Sequence, residues 1–498
     1  MASKQQGRPS GGQFTVEPTK GRGAKLAMLI AGCFVALLAV VYCAGCIFFY
    51  QRFWPNTIIG DANVSLMGAS SARAALEQSS QERTVNVSGQ GISFSLNGAS
   101  AGLELNVDTA VTTALAKNAS WQWPLEIFKS HDDSDVLSAS FDTDLLHSAI
   151  EGQLGAYNSI ATDPSDAFLF FDESTGSYQI NPGSMGTKLD VDSVMNTIME
   201  SLGGKKQFAP LTSNNLVQQN VKADDERLIN AMNAANAYLG CNLELTVAST
   251  PVAWVNPATV KDWIVIDGDY NVWLDESKLD AWVDALEAQV DTGEQAGYVR
   301  TYTRPNDGKY ITVTGGSYGW ISNGEELAQL VRDTVANKTV GSQEIPWKQT
   351  ADRYNPGGAD WGNRYVDVDL TEQWAYFFDE WGTLVKATPI ISGSSAFGTS
   401  RLTPEGSYYI TNKQRDQVLK GLPDPNNDNK PLYETLVYYW MPFIGNMVGL
   451  HDAYWQPVWE DWVYTTADGS HGCVNLPPDV AAWCWDWITI GTPVITHY

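Results

Sequence analysis

The sequence predicts an α+β multidomain chain with one membrane-spanning helix, a run of α+β repeat modules and a mostly-β C-terminal domain. Three observations predict it. Residues Leu26 to Tyr50 hold no charged side chain; a pattern of strand, Gly/Ser turn and helix recurs between about 90 and 345; and from Asn363 the pattern changes to short alternating strands. The expected boundaries are a cytoplasmic tail over 1–25, a transmembrane helix over 26–50 and repeats over 53–225. A second α+β module over 226–350, a linker over 351–362 and the C-terminal domain over 363–498 complete the chain.

Its 498 residues are 44% hydrophobic, with 19 Trp, 21 Tyr and 16 Phe, which is ample material for packed cores. The net charge of −26, from 57 acidic and 31 basic side chains, argues against a nucleic-acid partner, because phosphate-backbone binding needs a basic footprint. It reads as a self-repelling, soluble surface.

The apolar run is long enough as a helix to cross a hydrocarbon core of about 30 Å. Lys4, Arg8, Lys20, Arg22 and Lys25 precede it against a single Glu17, so the N-terminus is expected inside and residues from about 53 outside. A cleaved signal peptide would have a shorter core, whereas this one continues through Ile47, Phe48 and Phe49. Cys33 as a lipoprotein cysteine would be followed by polar sequence, but Phe34-Val35-Ala36-Leu37-Leu38 follows. The expectation is a permanent single-pass anchor in the cell membrane.

Downstream, Leu96-Asn97-Gly98-Ala99-Ser100-Ala101-Gly102-Leu103 aligns with Ile180-Asn181-Pro182-Gly183-Ser184-Met185-Gly186-Thr187, and Gly315-Gly316-Ser317-Tyr318-Gly319-Trp320 is a third version. Turn glycines supply positive φ at low cost. Asp108, Asp192 and Asn323 precede the helical stretches as expected caps. The pattern resembles the peptidoglycan-binding repeat found upstream of some L,D-transpeptidase domains. The repeats are either a spacer or genuine glycan or peptide binders. Ala351 to Gly362, with Pro356-Gly357-Gly358, reads as a linker.

In the C-terminal domain, Tyr365 to Leu370 and Trp374 to Phe378 predict a hairpin, Leu384 to Ser392 a third strand, and Thr403-Pro404-Glu405-Gly406 a turn into a fourth. Val480, Trp483, Cys484, Trp487 and Ile488 fall at helical spacing after Pro477-Pro478, which puts Cys473 in a loop before a buried helix. Cys484 is expected in the core, with a disulfide to Cys241 as the alternative; the other cysteines, Cys33, Cys43 and Cys46, lie in the apolar run. No paired CxxC and no HExxH is present, so neither zinc binding nor any metal site has support.

Two segments carry chemistry: Gly449-Leu450-His451-Asp452-Ala453 and Ser470-His471-Gly472-Cys473-Val474-Asn475. A thiol with its ordinary pKa near 8.5 is only a few per cent thiolate at neutral pH, so a nucleophilic cysteine needs a neighbouring base. An imidazole can take that proton and later return it to a leaving amine. Backbone N–H groups around His471, Gly472 and Cys473 are candidate oxyanion donors. His131, His147 and His497 stand in no such company.

With Thr403-Pro404-Glu405-Gly406 upstream and Gly491-Thr492-Pro493-Val494 at the close, this ordered set resembles the YkuD-type L,D-transpeptidase catalytic domain over about 363–498. The resemblance implies Cys473 as nucleophile, His451 as general base, and His471 and Gly472 beside the oxyanion site, with Ser470, Asn475 and Trp455 facing substrate. Many members carry Arg where this chain has Asn475, and the interval from His451 to Cys473 is slightly long, which puts the intervening loop in question. It further implies peptidoglycan stem peptides as substrates, 3→3 crosslinks through a cysteine thioester, acylation by carbapenems and no cofactor.

Leu422 to Leu432 is similar to a calcium loop only faintly, because Asn429 stands where glycine is needed and Thr435 where glutamate is; a lid or insertion is expected. Sortases need an Arg after the cysteine, and none follows Cys473. NlpC/P60 hydrolases need a histidine after it, and only His497 is available. The reading from a different class is a catalytically idle or merely hydrolytic cell-wall-binding protein, separable by thiol reactivity.

Overall fold

The computed structural model describes residues 23–498 apart from 205, 422, 424–427, 429 and 432. Most of the basic N-terminal tail, and most of the segment read as a lid, therefore lie outside the described residues. Two compact units are present: residues up to 167 together with 182–222, and 168–181 together with 223–498.

The first unit carries the apolar helix Gly23–Phe49, long and apolar enough to cross a membrane. Downstream, Thr84–Gly89 pairs antiparallel with Ile92–Asn97 and parallel with Phe208–Pro210. Val85, Val87 and Leu96 of this sheet meet Leu146, Ile150 and Leu154 of helix Thr143–Asn158 and Val194, Ile198 and Leu202 of helix Val191–Gly203 in one core. Alternation at period two and helical spacing thus bury one face each.

At each of the three places a strand, a glycine at positive φ and a helix follow in that order. Helices start at Val107, Val191 and Gly324, and Gly102, Gly183 and Gly316 hold φ of +61°, +65° and +101°. Asn323 stands directly before its helix as expected, whereas the other two caps sit differently. Asp190 caps the second helix by accepting from Ser193 N–H, with Asp192 inside the first turn. Asn106 precedes the first helix, with Asp108 inside its first turn. The second copy is also not a closed module: its strand, Ser177–Asn181, lies in the second unit and its helix in the first.

In the second unit, Asn242–Val247 pairs antiparallel with Thr250–Val255 and parallel with Val340–Glu344. Helices Glu276–Val290 and Gly324–Asn337 contribute Leu279, Val283, Leu327 and Val331 to the core beneath. The hairpin Val299–Thr303/Tyr310–Thr314 reaches the C-terminal region, where Tyr302 and Val313 share a cluster with Trp361, Tyr365, Phe378 and Ile495.

The segment read as a linker is fixed in place. Asp360 and Trp361 are buried, and Asp360 receives the equally buried Arg300 through Nε at 3.0 Å. Arg304, also fully buried, donates to Asp367 at 3.1 Å and Asp369 at 3.2 Å. Charges removed from water must be paired, and these pairs tie residues 299–314 to the C-terminal sheet.

Strands from residue 363 onward are numbered β1 Tyr365–Asp369, β2 Trp374–Phe378, β3 Leu384–Pro389, β4 Gly406–Tyr409, β5 Gln414–Lys420, β6 Glu434–Ile444, β7 Val448–Asp452, β8 Val474–Leu476 and β9 Pro493–His497. One sheet runs β3-β2-β1-β9-β4 and the other β5-β6-β7-β8. Val366, Phe377 and Val494 of the first meet Met441, Leu450 and Val474 of the second. Helix Pro478–Trp487 adds Ala481 and Cys484 to that core, with Pro at its first turn, where a missing N–H is harmless. Cys241 and Cys484 are both free and lie in different cores, so the alternative disulfide is not formed.

Candidate active site

The site follows from one register. Strands β7 and β8 run parallel with Leu450 opposite Val474 and His451 opposite Asn475. Successive side chains on a strand point to opposite faces. Leu450 and Val474 therefore go into the core, and His451 and Asn475 to the other side. Cys473, two residues before Asn475, shares their face. His451, Cys473, Asn475, Ser470, His471 and Trp455 all line one cavity of about 560 Å³.

His451 is buried, and its Nδ1 lies 2.9 Å from the Asp452 carbonyl. A carbonyl only accepts, so Nδ1 carries the hydrogen and Nε2 keeps its lone pair. Burial holds the imidazole below its ordinary pKa of 6.5, against a raising influence from Asp452. The Cys473 thiol, 8% exposed, is pushed up to about 11 by burial, although the Gly449 N–H directed at it acts the other way. Its Sγ sits 3.6 Å from the Met447 carbonyl. Thiol and imidazole therefore rest neutral, with a proton on sulfur and an open lone pair on the ring.

The loop before Cys473 is braced from within. Ser470 Oγ accepts from Gly472 N–H at 3.0 Å and donates to the Cys473 carbonyl at 2.5 Å. Thr403 donates to the Gly472 carbonyl at 2.8 Å and accepts from Gly393 N–H at 2.9 Å. The strand-like segment after β3 pairs across the loop, Ile391 with Asn475 and Gly393 with Ser470. Gly472 holds φ +125°, whereas a Cβ there would meet nothing closer than 3.8 Å. Backbone conformation, not lack of space, is what requires glycine.

The family profile for the L,D-transpeptidase catalytic domain, YkuD, matches residues 363–496. Residues 363–496 are an L,D-transpeptidase catalytic domain.

L,D-transpeptidase 1 of Mycobacterium tuberculosis is 28% identical over 141 residues, which are 28% of this chain and 52% of that protein. The chain thus spans about half the length of the curated relatives it matches. Among solved structures, a cysteine-to-serine mutant of Enterococcus faecium L,D-transpeptidase is 25% identical at a TM-score of 0.42, over 54% of this chain and 99% of that one. The catalytic domain of the E. faecium enzyme acylated by ertapenem is 36% identical at a TM-score of 0.24, over 28% of this chain and 99% of that one.

Within the transpeptidase domain, six of the seven residues singled out in the sequence line the same cavity. Gly472 is not among the lining residues, and its N–H, expected as an oxyanion donor, is already engaged by Ser470. Ser470, expected to face substrate, uses its hydroxyl inside the loop. His497 is fully buried in β9 with Nε2 3.0 Å from Asp367 Oδ1, away from the cavity lining, which removes the NlpC/P60 order of residues.

Sequence reasoning missed Trp440, Tyr433 and Arg401. Trp440 pairs with His451 across β6 and β7, and its ring lies 5.8 Å from the imidazole, as Trp455 lies 5.9 Å from it. The Tyr433 ring stands 4.6 Å from that of His471. Burial and the Arg401 charge lower the His471 pKa, and burial raises that of Tyr433. Only the β6–β7 pairing, invisible without a register, could have brought Trp440 to notice.

Proposed function

We propose that the chain forms 3→3 peptidoglycan crosslinks through a thioester on Cys473, with His451 as general base. The observation that carries this reading is the shared face of β7 and β8, which puts a buried thiol and an imidazole of fixed tautomer on one cavity.

His451 Nε2 takes the thiol proton as sulfur attacks the carbonyl of the third stem-peptide residue. The C–S bond forms and the C–N bond to the terminal D-Ala breaks, and the imidazolium returns the proton to the departing amine. An amine of a neighbouring stem peptide then attacks the thioester, gives its proton to His451 and releases the thiol. With Gly472 N–H engaged, the N–H groups of His471 and Cys473 are the oxyanion donors in this scheme. Asn475, whose Oδ1 is buried without a partner, faces the substrate as the hydrogen-bonding group of the cavity. The apolar helix Gly23–Phe49 anchors the chain in the cell membrane, with the catalytic domain outside.

The test is the full chain in detergent incubated with a disaccharide-tetrapeptide and, separately, with a carbapenem, against Cys473→Ala. A dimeric muropeptide lacking one D-Ala, and a single drug adduct, both absent from the variant, are expected. Release of D-Ala without dimers would replace crosslinking by hydrolysis, and no adduct on folded protein would overturn the nucleophile.

A further inference from the structure

The segment after helix Val107–Lys117 reads Ser120-Trp121-Gln122-Trp123-Pro124-Leu125-Glu126-Ile127-Phe128, and it packs against the apolar helix itself. Trp123 Nε1 donates to the Tyr42 carbonyl at 3.0 Å, and the Tyr42 hydroxyl donates to the Trp121 carbonyl at 3.0 Å. The Trp123 ring stacks on Phe49 with centroids 6.2 Å apart. Gly45 makes the room: a Cβ there would stand 2.2 Å from the Trp123 ring. The apolar helix is therefore notched to receive this indole.

The contact fixes a height. Tyr42 is seven residues before the helix end at Phe49, which at ~1.5 Å per residue is about 10 Å. With Leu26 at the inner edge of a hydrocarbon core about 30 Å thick, Tyr42 lies about 24 Å and Gly45 about 29 Å across it, so a group bonded to both stands at the outer edge of the hydrocarbon. The side chains presented there suit that level. Trp121 is 61% exposed, Leu125 69% and Phe128 85%, three large apolar groups left open among the described residues. Glu126 points its charge elsewhere, to Lys129 at 2.8 Å. Trp beside aliphatic and Phe side chains is the composition favoured where hydrocarbon meets headgroups.

We propose that Ser120–Phe128 is a lipid-binding segment, with Trp121, Leu125 and Phe128 inserted into the outer leaflet and Trp123 locked into the Gly45 notch. The segment makes the first unit a membrane-seated body instead of a freely tethered one. This rests on the reading that Gly23–Phe49 spans the membrane.

The experiment uses the full chain in phosphatidylcholine nanodiscs containing a lipid with a diazirine on the acyl chain near the headgroup, followed by peptide mapping after irradiation. Adducts are expected on both 23–49 and 120–128. The triple variant Trp121→Ser, Leu125→Ser, Phe128→Ser should keep the first set and lose most of the second. Gly45→Leu, which closes the notch, should lower the second set several-fold and spare the first. Adducts on 23–49 alone in the unaltered chain would overturn the proposal. Adducts on neither segment would overturn the membrane-spanning reading itself.

Discussion

Replacing His451 by Gln tests the division of labour in the dyad. With the thiol at about 11, the thiolate share in the absence of a base is about 10⁻³ at pH 8 and about 10⁻⁴ at pH 7. The imidazole, lowered from 6.5, is already deprotonated at pH 7 and available as base. In the unaltered chain, acylation by a carbapenem should therefore rise through the lowered imidazole pKa and be flat from pH 7 to 9. In His451→Gln the reaction depends on spontaneous thiolate, so the rate at pH 7 should fall about 10²–10⁴-fold. It should then climb about tenfold per pH unit towards pH 10, narrowing the gap. Stopped-flow absorbance of lactam opening under single-turnover conditions gives both profiles, with Cys473→Ala as blank. A variant profile that is flat and within tenfold of the unaltered chain would refute general-base activation by His451.

Other perturbations read other parts of the fold. Gly472→Ala meets no steric clash but forces φ +125° on a residue with a Cβ, so about 1–3 kcal/mol of strain is expected by denaturant melts, with loss of acylation well beyond tenfold as Cys473 shifts to relieve it. Arg304→Met leaves the buried carboxylates of Asp367 and Asp369 short of their shared cation and should cost about 3–5 kcal/mol in the same assay. Burial of neutral His451 means the folded state binds fewer protons than the unfolded one once pH drops below 6.5. Stability from this group is thus full above 6.5 and lost as pH falls through the lowered folded value; thermal melts of His451→Gln should lose part of the decline between pH 7 and 5.

Much of the site was legible because its signals are local. Helical spacing gave the Pro478–Trp487 helix and the buried position of Cys484, and hairpin alternation gave β1 and β2 with Gln373 at the turn, where φ is +56°. Cys473 and His451 were singled out by what a thiol nucleophile needs and by the order of short motifs, and both line one cavity. The turn glycines of the recurring pattern were also local, and they take positive φ as expected.

What the sequence by itself determined, then, is the chemical inventory and the faces: which residues could react, which stretch could cross a membrane, and which side of each strand or helix is apolar. Only the tertiary structure decided the pairings between distant residues. Nothing in the sequence pairs Arg300 with Asp360 or Arg304 with Asp367, and Pro356-Gly357-Gly358 reads as a linker; burial of the ion pairs turned that linker into part of one packed unit. Trp440 entered the site because β6 registers it opposite His451, and Ser470 lines the cavity while its hydroxyl is taken up by two groups of its own loop. The physical reason is the same in each case. A period in sequence encodes which face is buried, whereas the partner that makes burial of a charge or hydroxyl affordable comes from elsewhere in the chain and is fixed only by packing.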